Sequence, residues 1–238
     1  MLTHVYVALM TASTTARARA RTELTQEIKA TARGHLVEVG AAALSLRAVA
    51  RDLGMASSAV YRYFPSRDDL LTALIVDAYD AVGAVAEEVE RSGRRGFVER
   101  WVLLASAVRS WAVASPQEYA LVYGSPVPGY RAPVDTVEPA VRVVAVALRM
   151  VSEGLAAGEI DPAPRLPLPR GVRRDLRNVR ALAPDVPEEV LARALEAWAS
   201  LLGSLSLELF GHLENVVFDR EAFFLHQARR AATVLASA

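Results

Sequence analysis

The segment Ser57–Phe64 concentrates side chains that can bond to a nucleic acid. Its sequence, SSAVYRYF, carries two serines, two tyrosines and an arginine. At about 100° per residue, a helix places Ser57, Ser58, Tyr61 and Arg62 on one side, and Ala59, Val60, Tyr63 and Phe64 mainly on the other. The planar guanidinium of Arg62 matches the O6 and N7 acceptors of guanine, whereas hydroxyl groups suit phosphates or single base edges. The segment therefore predicts a helix whose polar side contacts DNA in the major groove.

The residues before this segment predict a helix and a tight turn. Ser45 is a suitable N-cap, and four apolar residues follow at the spacing of one helix face: Leu46, Val49, Ala50 and Leu53. Gly54 ends that helix. An earlier helix is expected over about residues 23–39, ending at Gly40. Two short helices joined by the residues LGMAS, with a third before them, have the spacing of a helix-turn-helix.

The residues after the segment predict where the next helix begins. Pro65 cannot continue the preceding helix, because it lacks a backbone donor and clashes with the turn before it. Ser66, followed three residues later by Asp69, predicts a capping box that opens a long helix toward Val89. Arg67 lies in the first turn of that helix, where free N–H groups and the helix dipole favour a phosphate.

Positive charge is concentrated around these helices. The whole chain is neutral, with 27 lysines and arginines against 27 acids. Residues 17–67, however, contain nine lysines and arginines against four acids, an excess of five. This local excess supports a contact with DNA that the net charge of the chain does not indicate.

The stretch LSLRAVARDLGMASSAVYRYFPSRDDLL resembles the DNA-binding segment of TetR-type transcriptional regulators. The resemblance covers about residues 23–75 and rests on Gly40, Ser45, Val49, Ala50, Gly54, Tyr61, Phe64 and Arg67. It implies that Ser57, Ser58 and Arg62 lie nearest the bases. It also implies contacts to backbone phosphates by Ser45, Arg47, Tyr61, Tyr63 and Arg67. Ala56 stands where the family usually has a Ser or Thr cap, so Ser57 is the alternative cap of this helix.

Helical spacing continues through the rest of the chain, so the predicted fold is all-α. We expect a disordered arm over residues 1–20, a helix-turn-helix DNA-binding domain over 21–70, and a ligand-binding and dimerisation domain over 71–238. Arg91–Gly96 is the expected hinge, and the proline-rich stretch Gly158–Gly171 predicts an irregular connection. The other expected helices cover about residues 97–113, 116–124, 134–157, 173–180, 188–214 and 219–236.

Aromatic residues of the C-terminal part are candidates for a ligand pocket: Trp101, Trp111, Tyr119, Tyr123, Tyr130 and Trp198. For each of them alone, a place in the core is the alternative. The stretch Trp111–Tyr130 resembles the effector domain of a TetR subgroup with a Trp, His-Pro, Gly pattern, although Ser115 takes the His position. The family resemblance implies a homodimer through the last two helices and a small-molecule effector inside the bundle. The composition of the pocket suggests an apolar or aromatic effector.

No motif points to catalysis or to a cofactor, since the sequence lacks a nucleophile elbow, a P-loop, Rossmann glycines and a His-Glu-x-x-His pair. His212 and Glu214 are two residues apart and do not share a helix face, which argues against a metal site. The absence of cysteine, of a signal-peptide pattern and of about 20 uninterrupted apolar residues predicts a cytoplasmic protein without membrane association.

These features together predict a ligand-responsive transcriptional repressor that binds a palindromic operator in double-stranded DNA as a dimer. Two alternatives remain open. One is a non-specific DNA-binding or adaptor protein without ligand sensing, which would show a salt-dependent affinity with little sequence preference. The other is an α-helical enzyme that binds a small molecule, which would need acid and base groups converging inside the bundle.

Overall fold

The computed structural model describes residues 2–93, 96–163 and 166–236, and all regular secondary structure in these ranges is helical. The α-helices are α1 Leu2–Val39, α2 Leu46–Asp52, α3 Ser57–Val60, α4 Arg67–Arg91, α5 Phe97–Ala114, α6 Pro116–Tyr123, α7 Val137–Ala156, α8 Arg170–Arg180, α9 Glu188–Leu209 and α10 Arg220–Ala236. Short 3₁₀ turns lie at Ala41–Ala43 and Val134–Thr136. The all-α prediction is confirmed. Arg94 and Arg95 of the expected hinge, and Pro164 and Arg165 of the expected irregular connection, lie outside the described residues.

The chain divides into two compact units. The N-terminal unit comprises Met1–Ile75 and Pro126–Ala132, and the C-terminal unit comprises Val76–Ser125 and Pro133–Ala238. Within the N-terminal unit, the hydroxyl oxygens of Tyr130 and Thr72 lie 3.0 Å apart, which ties the later segment to α4. No local sequence pattern predicts that residues 126–132 belong to the N-terminal unit.

The first helix is longer than the sequence predicts. The backbone of residues 2–20 is helical and continuous with the rest of α1, whereas a disordered arm is expected there from the sequence. Residues 2–33 contain neither glycine nor proline and repeat alanine and arginine, which favour a helix. The end of α1 is as predicted: Gly40 has a φ of 73°, and its N–H donates to the carbonyl of Leu36 at 3.2 Å.

Apolar side chains from four helices form the interior of the N-terminal unit. On α1, Ile28, Ala32 and Leu36 are spaced by four residues and buried, as expected of one helix face. The other buried residues of this unit include Leu46, Val49 and Ala50 on α2, Val60 on α3, Phe64 after it, and Leu70, Leu71 and Leu74 on α4. These contacts hold the short helices α2 and α3, which could not be stable alone.

The Ser66 half of the predicted capping box is present at the start of α4, while Asp69 contacts the hydroxyl of Ser66. The Ser66 hydroxyl oxygen accepts the backbone N–H of Asp69 at 3.1 Å, and the Ser66 hydroxyl lies 2.7 Å from Oδ2 of Asp69. Two acidic residues in the first turn of α4, Asp68 and Asp69, also complement the helix dipole. The helix therefore begins at Arg67 because local residues satisfy its first free donors.

The C-terminal unit is a helical bundle with a continuous apolar core. Its largest fully buried side chains include Trp101, Leu104, Tyr119, Met150, Leu191, Leu205 and Phe224. Helix α9 supplies nine buried residues, and by length and composition it could also cross a membrane. Its burial in this core and its charged residues, such as Arg193 and Glu208, mark it as a core helix of the bundle.

Two arginines of α7 bind acidic residues of α4, and we call this set the α4–α7 ladder. Arg142 donates to both carboxylate oxygens of Glu87 at 2.9 Å and to Asp80 at 2.5 Å. Arg149 donates to both oxygens of Glu90 at 2.7 and 2.8 Å. The hydrogen bonds from Arg142 and Arg149 lower the pKa of Glu87 and Glu90, respectively, against the opposing effect of burial. Paired, fork-shaped contacts of this kind fix α4 and α7 relative to each other.

Candidate functional site

The helix-turn-helix is formed by α2, the turn Leu53–Ala56 and α3. Gly54 has a φ of 66°, a backbone conformation that residues with a Cβ rarely adopt, so glycine is needed at the turn. The N–H of Met55 donates to the carbonyl of Ala50 at 2.8 Å and folds the turn back onto α2. Ala56 is the N-cap of α3 and Ser57 is its first helical residue, so Ser57 does not act as the alternative cap.

Regular helix ends earlier than expected after this turn. Helix α3 covers Ser57–Val60, and residues 61–63 continue as turns up to Pro65. The N–H groups of Tyr63 and Phe64 both donate to the carbonyl of Val60, at 2.9 and 3.1 Å, so the chain tightens at its end. We refer to Ser57–Phe64 as the recognition segment.

The two sides of the recognition segment are arranged as the sequence predicts. Val60 and Phe64 are buried, whereas Ser58, Tyr61 and Arg62 are exposed and Ser57 is half-buried. Arg62 makes no ion pair with any residue that the structure describes. Its guanidinium is therefore free to bond to a base or a phosphate.

Tyr63 is half-buried. Helical spacing predicts that its side chain points inward, whereas a contact with phosphate needs an exposed hydroxyl, and the observed burial lies between these two expectations. The guanidinium carbon of Arg21 lies 5.4 Å from the centre of its ring, in a cation–π contact. This contact brings α1 beside the recognition segment. Arg21 is the residue of this site that sequence reasoning missed, because nothing in the local sequence links positions 21 and 63.

Ser45 and Arg47 flank the start of α2. Ser45 occupies the predicted N-cap position with an extended backbone, but its side chain makes no capping hydrogen bond. It is half-buried, and its hydroxyl is available to another acceptor or donor. Arg47 is exposed on the first turn of α2. Both positions suit phosphate contacts, since α2 begins there with free backbone donors.

Arg67 has a structural partner that the sequence does not reveal. Its Nη2 donates to the carbonyl oxygens of Ala41 at 2.7 Å and Ala42 at 3.1 Å, and its Nη1 lies 3.5 Å from Asp68. Arg67 therefore satisfies carbonyl groups in the 3₁₀ turn after α1 and links that turn to α4. A phosphate contact by Arg67 would have to use the donors that these carbonyls leave free.

The C-terminal unit contains an apolar cavity of about 110 Å³ between α5, α7, α8 and α9. Two of the six aromatic candidates line it, Trp101 and Trp198. The indole Nε1 of Trp101 is buried and has no hydrogen-bond partner among the described residues. Val144 and Leu148 of α7 and Val179 of α8 form other parts of the wall. Sequence reasoning missed these aliphatic residues, because only the packing of four helices brings them together.

The other four aromatic candidates do not line this cavity. Tyr119 is fully buried, with its hydroxyl 2.9 Å from both the Leu202 carbonyl and the Ser206 hydroxyl. Its ring contacts those of Trp111, Tyr123 and Phe210 at centroid distances of 5.3 to 6.4 Å. Burial raises the pKa of Tyr119 and Tyr123, so both phenols stay neutral. Trp111, Tyr119 and Tyr123 are therefore part of the core, and Tyr130 belongs to the N-terminal unit.

Comparison with known proteins agrees with this architecture. Residues 28–74 match the family model described as bacterial regulatory proteins, tetR family, and residues 101–231 match that of the tetracyclin repressor-like C-terminal domain. The chain is 40% identical over 227 residues to the HTH-type transcriptional regulator Rv1816 of Mycobacterium tuberculosis, which covers 92% of this chain and 95% of that protein.

Solved structures give the same result. The crystal structure of the regulatory protein SCO4313 is similar with a TM-score of 0.75 and 37% sequence identity, over 90% of this chain and 97% of that one. A Rhodococcus sp. RHA1 protein of unknown function is similar with a TM-score of 0.69 and 26% identity, over 90% and 96% of the two chains. The chain therefore belongs to the tetR family of bacterial regulatory proteins and is a DNA-binding transcriptional regulator.

Proposed function

We propose that this regulator is a ligand-responsive repressor that binds a palindromic operator as a homodimer. The observation that carries the proposal is the recognition segment, whose buried Val60 and Phe64 hold Ser58, Tyr61 and Arg62 at the surface. In this arrangement Arg62 reads guanine through its O6 and N7 atoms, and Ser57 and Ser58 contact base edges. Phosphates are contacted by Ser45, Arg47, Tyr61, Tyr63 and Arg67, which fix the protein on the DNA without reading sequence.

The proposed dimer forms through α9 and α10. Both helices expose large apolar side chains: Leu195 and Leu207 on α9, and Phe223 and Val234 on α10. A row of small residues at helical spacing, Ala199, Ser200 and Gly203, is exposed on α9 and allows close approach of a second copy. Pairing these faces in a four-helix arrangement would bury apolar surface that is costly to leave in water.

Ligand sensing is proposed to take place in the cavity beside Trp101 and Trp198. Cavities of roughly 150 Å³ lined by apolar residues bind benzene, whereas sites for drug-sized ligands measure about 300–1,000 Å³. A cavity of about 110 Å³ therefore suits a small apolar or aromatic group, or the end of a larger molecule that opens it further. The lining side chains are all apolar or aromatic, so the cavity favours a ligand group without charge.

The α4–α7 ladder supports a route from this cavity to α4. Val144 and Leu148 of α7 line the cavity, and Arg142 and Arg149 of the same helix hold α4. A ligand that displaces α7 would shift α4, which continues into the N-terminal unit as far as Arg67. A dimer fits two half-sites only when its recognition segments are about 34 Å apart, so such a shift weakens operator binding. Coupling energies of this kind are typically about 1–3 kcal/mol.

A catalytic role has no support in the cavity, because its wall is formed by apolar side chains and holds no acid or base group. Among the described residues, the ion-paired side chains of the C-terminal unit, including those of the α4–α7 ladder, do not line the cavity. A regulator that acts on DNA in a bacterium works in the cytoplasm, and we assign the protein there.

Fluorescence anisotropy tests the DNA-binding part of this proposal. Purified protein is titrated onto a labelled fragment from upstream of its own gene, with excess unrelated DNA present. The variant Arg62→Ala is expected to weaken specific binding by about 1–3 kcal/mol, because it removes a bidentate base contact. Gel filtration should show an unchanged dimer, which excludes a general loss of folding. Equal discrimination between operator and scrambled DNA by the variant and the wild type would contradict the role of Arg62.

The ligand cavity is tested with toluene as a probe, followed by the fluorescence of the cavity tryptophans. The variant Ala194→Leu places a larger side chain in the wall and is expected to weaken toluene binding at least tenfold, since the added atoms occupy the space. Ala156→Leu is the matched control, because it makes the same change at an exposed residue at the end of α7 that does not line the cavity, and it should bind toluene as the wild type does. Equal toluene affinity of wild type and Ala194→Leu would contradict binding in this cavity.

A further inference from the structure

The N-terminal half of α1 carries an arginine pair that none of the proposed DNA contacts uses. Arg17, Arg19 and Arg21 follow one another at alternate positions, and all three are exposed. Residues 1–22 contain no acidic residue, so this end of α1 is the most one-sidedly basic part of the N-terminal unit. The structure joins it to the site through the cation–π contact between Arg21 and Tyr63.

Helix geometry separates the three arginines into two sets. Arg17 and Arg21 are four residues apart, which places them about 40° from each other around the helix and about 6 Å apart along it. Arg19 lies about 160° from Arg21, on the opposite side. Because Arg21 reaches Tyr63, the side that carries Arg17 and Arg21 is the side that faces the recognition segment.

The local charges also distinguish the two sets. Arg19 precedes Glu23 by four residues, the spacing at which a helix pairs opposite charges. No acidic residue lies three or four positions from Arg17 or Arg21. These two arginines are instead a like-charge pair one turn apart, which destabilises an isolated helix. A bound anion would remove that repulsion, and its place is next to the recognition segment.

We propose that Arg17 and Arg21 form an additional phosphate-binding site, which extends the DNA contact beyond the helix-turn-helix along α1. The two guanidinium groups are close enough to contact neighbouring phosphates on one DNA strand, where the charges are spaced by about 3.4 Å along the axis of the duplex. The site reads no sequence, so it adds affinity and salt dependence without changing operator preference. The inference rests on the proposed placement of the recognition segment against DNA.

The salt dependence of binding by the full-length protein tests this site. Anisotropy titrations between 50 and 200 mM salt compare the wild type with Arg17→Gln/Arg21→Gln, on the upstream fragment and on unrelated DNA. Each lost phosphate contact lowers the slope of log affinity against log salt by about 0.9. The double variant removes two contacts from each protomer of the proposed dimer, four in all, so its slope should fall by about 3.6. Over this salt range the wild type should then lose about 150-fold more affinity than the double variant.

Arg19→Gln is the matched control, since it removes the same charge from the opposite side of the same helix. Its slope is expected to stay close to that of the wild type, and circular dichroism should show equal helix content in all three proteins. Equal slopes for the double variant and the wild type, or an equal decrease in Arg19→Gln, would overturn the proposal. Wild-type binding without preference for the upstream fragment would count against the specific repressor, while the slopes on unrelated DNA would still decide the role of the pair.

Discussion

Replacing Gly203 with glutamate is expected to split the dimer while each protomer stays folded. Gly203 is exposed on α9, and a Cβ added there would meet no atom within 4 Å in the protomer. Removing a glycine from the interior of a helix also favours the helix by about 1 kcal/mol. In the proposed dimer this position lies between the two copies of α9, where a carboxylate would be buried without a partner. Analytical ultracentrifugation should therefore show monomers at concentrations where the wild type is dimeric.

Loss of the dimer has a large effect on DNA binding, because each protomer reaches one half-site. Specific regulators bind their operators with dissociation constants of about 10⁻⁸ to 10⁻¹¹ M. A monomer that keeps half of this binding free energy would have a dissociation constant of roughly 10⁻⁴ to 10⁻⁵·⁵ M. This range overlaps that of non-specific binding. We therefore expect Gly203→Glu to weaken operator binding by at least about a thousandfold in the anisotropy experiment.

Gly171→Glu provides the matched control for this variant. Gly171 is also exposed and helical, and its added Cβ would likewise meet no atom within 4 Å, but it lies on α8 outside the proposed interface. This variant should remain dimeric and bind the operator as the wild type does. A dimeric Gly203→Glu protein with wild-type affinity would show that the copies associate through another surface.

The helix-turn-helix could be predicted from the sequence because its signals are local. A capping serine, a turn glycine and a helix-stopping proline each act on the residues beside them, and Ser66, Gly54 and Pro65 fall where the structure begins, turns or ends a helix. The division of the recognition segment into buried and exposed sides also follows from helical spacing alone. Val60 and Phe64 lie inside and Arg62 outside, as expected.

The features that the sequence did not reveal all depend on contacts between distant residues. Arg67 binds the carbonyls of Ala41 and Ala42, more than twenty positions earlier, although its place in a first turn suggested only a phosphate contact. The cavity wall combines residues of α5, α7, α8 and α9. Of the six aromatic residues that the sequence suggested for a ligand pocket, two line the cavity and four lie elsewhere. Helix α1 extends to Leu2 because a run of helix-forming residues contains no stop signal.

Helix α9 illustrates how one element serves both the core and the proposed interface. One side supplies Leu191, Leu201 and Leu205 to the core, and the other exposes Gly203 and Leu207. Between these sides, Glu208 binds Arg109 of α5 with both oxygens, at 2.7 and 3.0 Å. This buried pair connects two core helices next to the face that we assign to the dimer.

Glu208→Gln is expected to lower the free energy of unfolding by about 3–5 kcal/mol, because it leaves the charge of Arg109 buried without its main partner. The Arg109 side chain is 13% exposed and that of Glu208 is 7% exposed, so little water can replace the lost carboxylate. Hydrogen bonds from Arg109 to Glu208 raise the pKa of the arginine. A guanidinium keeps its proton in proteins, so Arg109 stays charged in the variant as well. Urea unfolding at fixed protein concentration measures the change, since the stability of a dimer depends on concentration.

Glu221→Gln separates the effect of burial from that of charge. Glu221 lies 3.4 Å from the same arginine, but its side chain is 68% exposed, and solvent screens the contact. Its removal should lower the free energy of unfolding by no more than about 1 kcal/mol.

The double variant Arg109→Met/Glu208→Leu should recover most of the stability that Glu208→Gln loses, because apolar side chains can replace a buried ion pair without leaving a charge unpaired. Equal losses in Glu208→Gln and Glu221→Gln would mean that water reaches Arg109, and the pair would then contribute as a surface contact does.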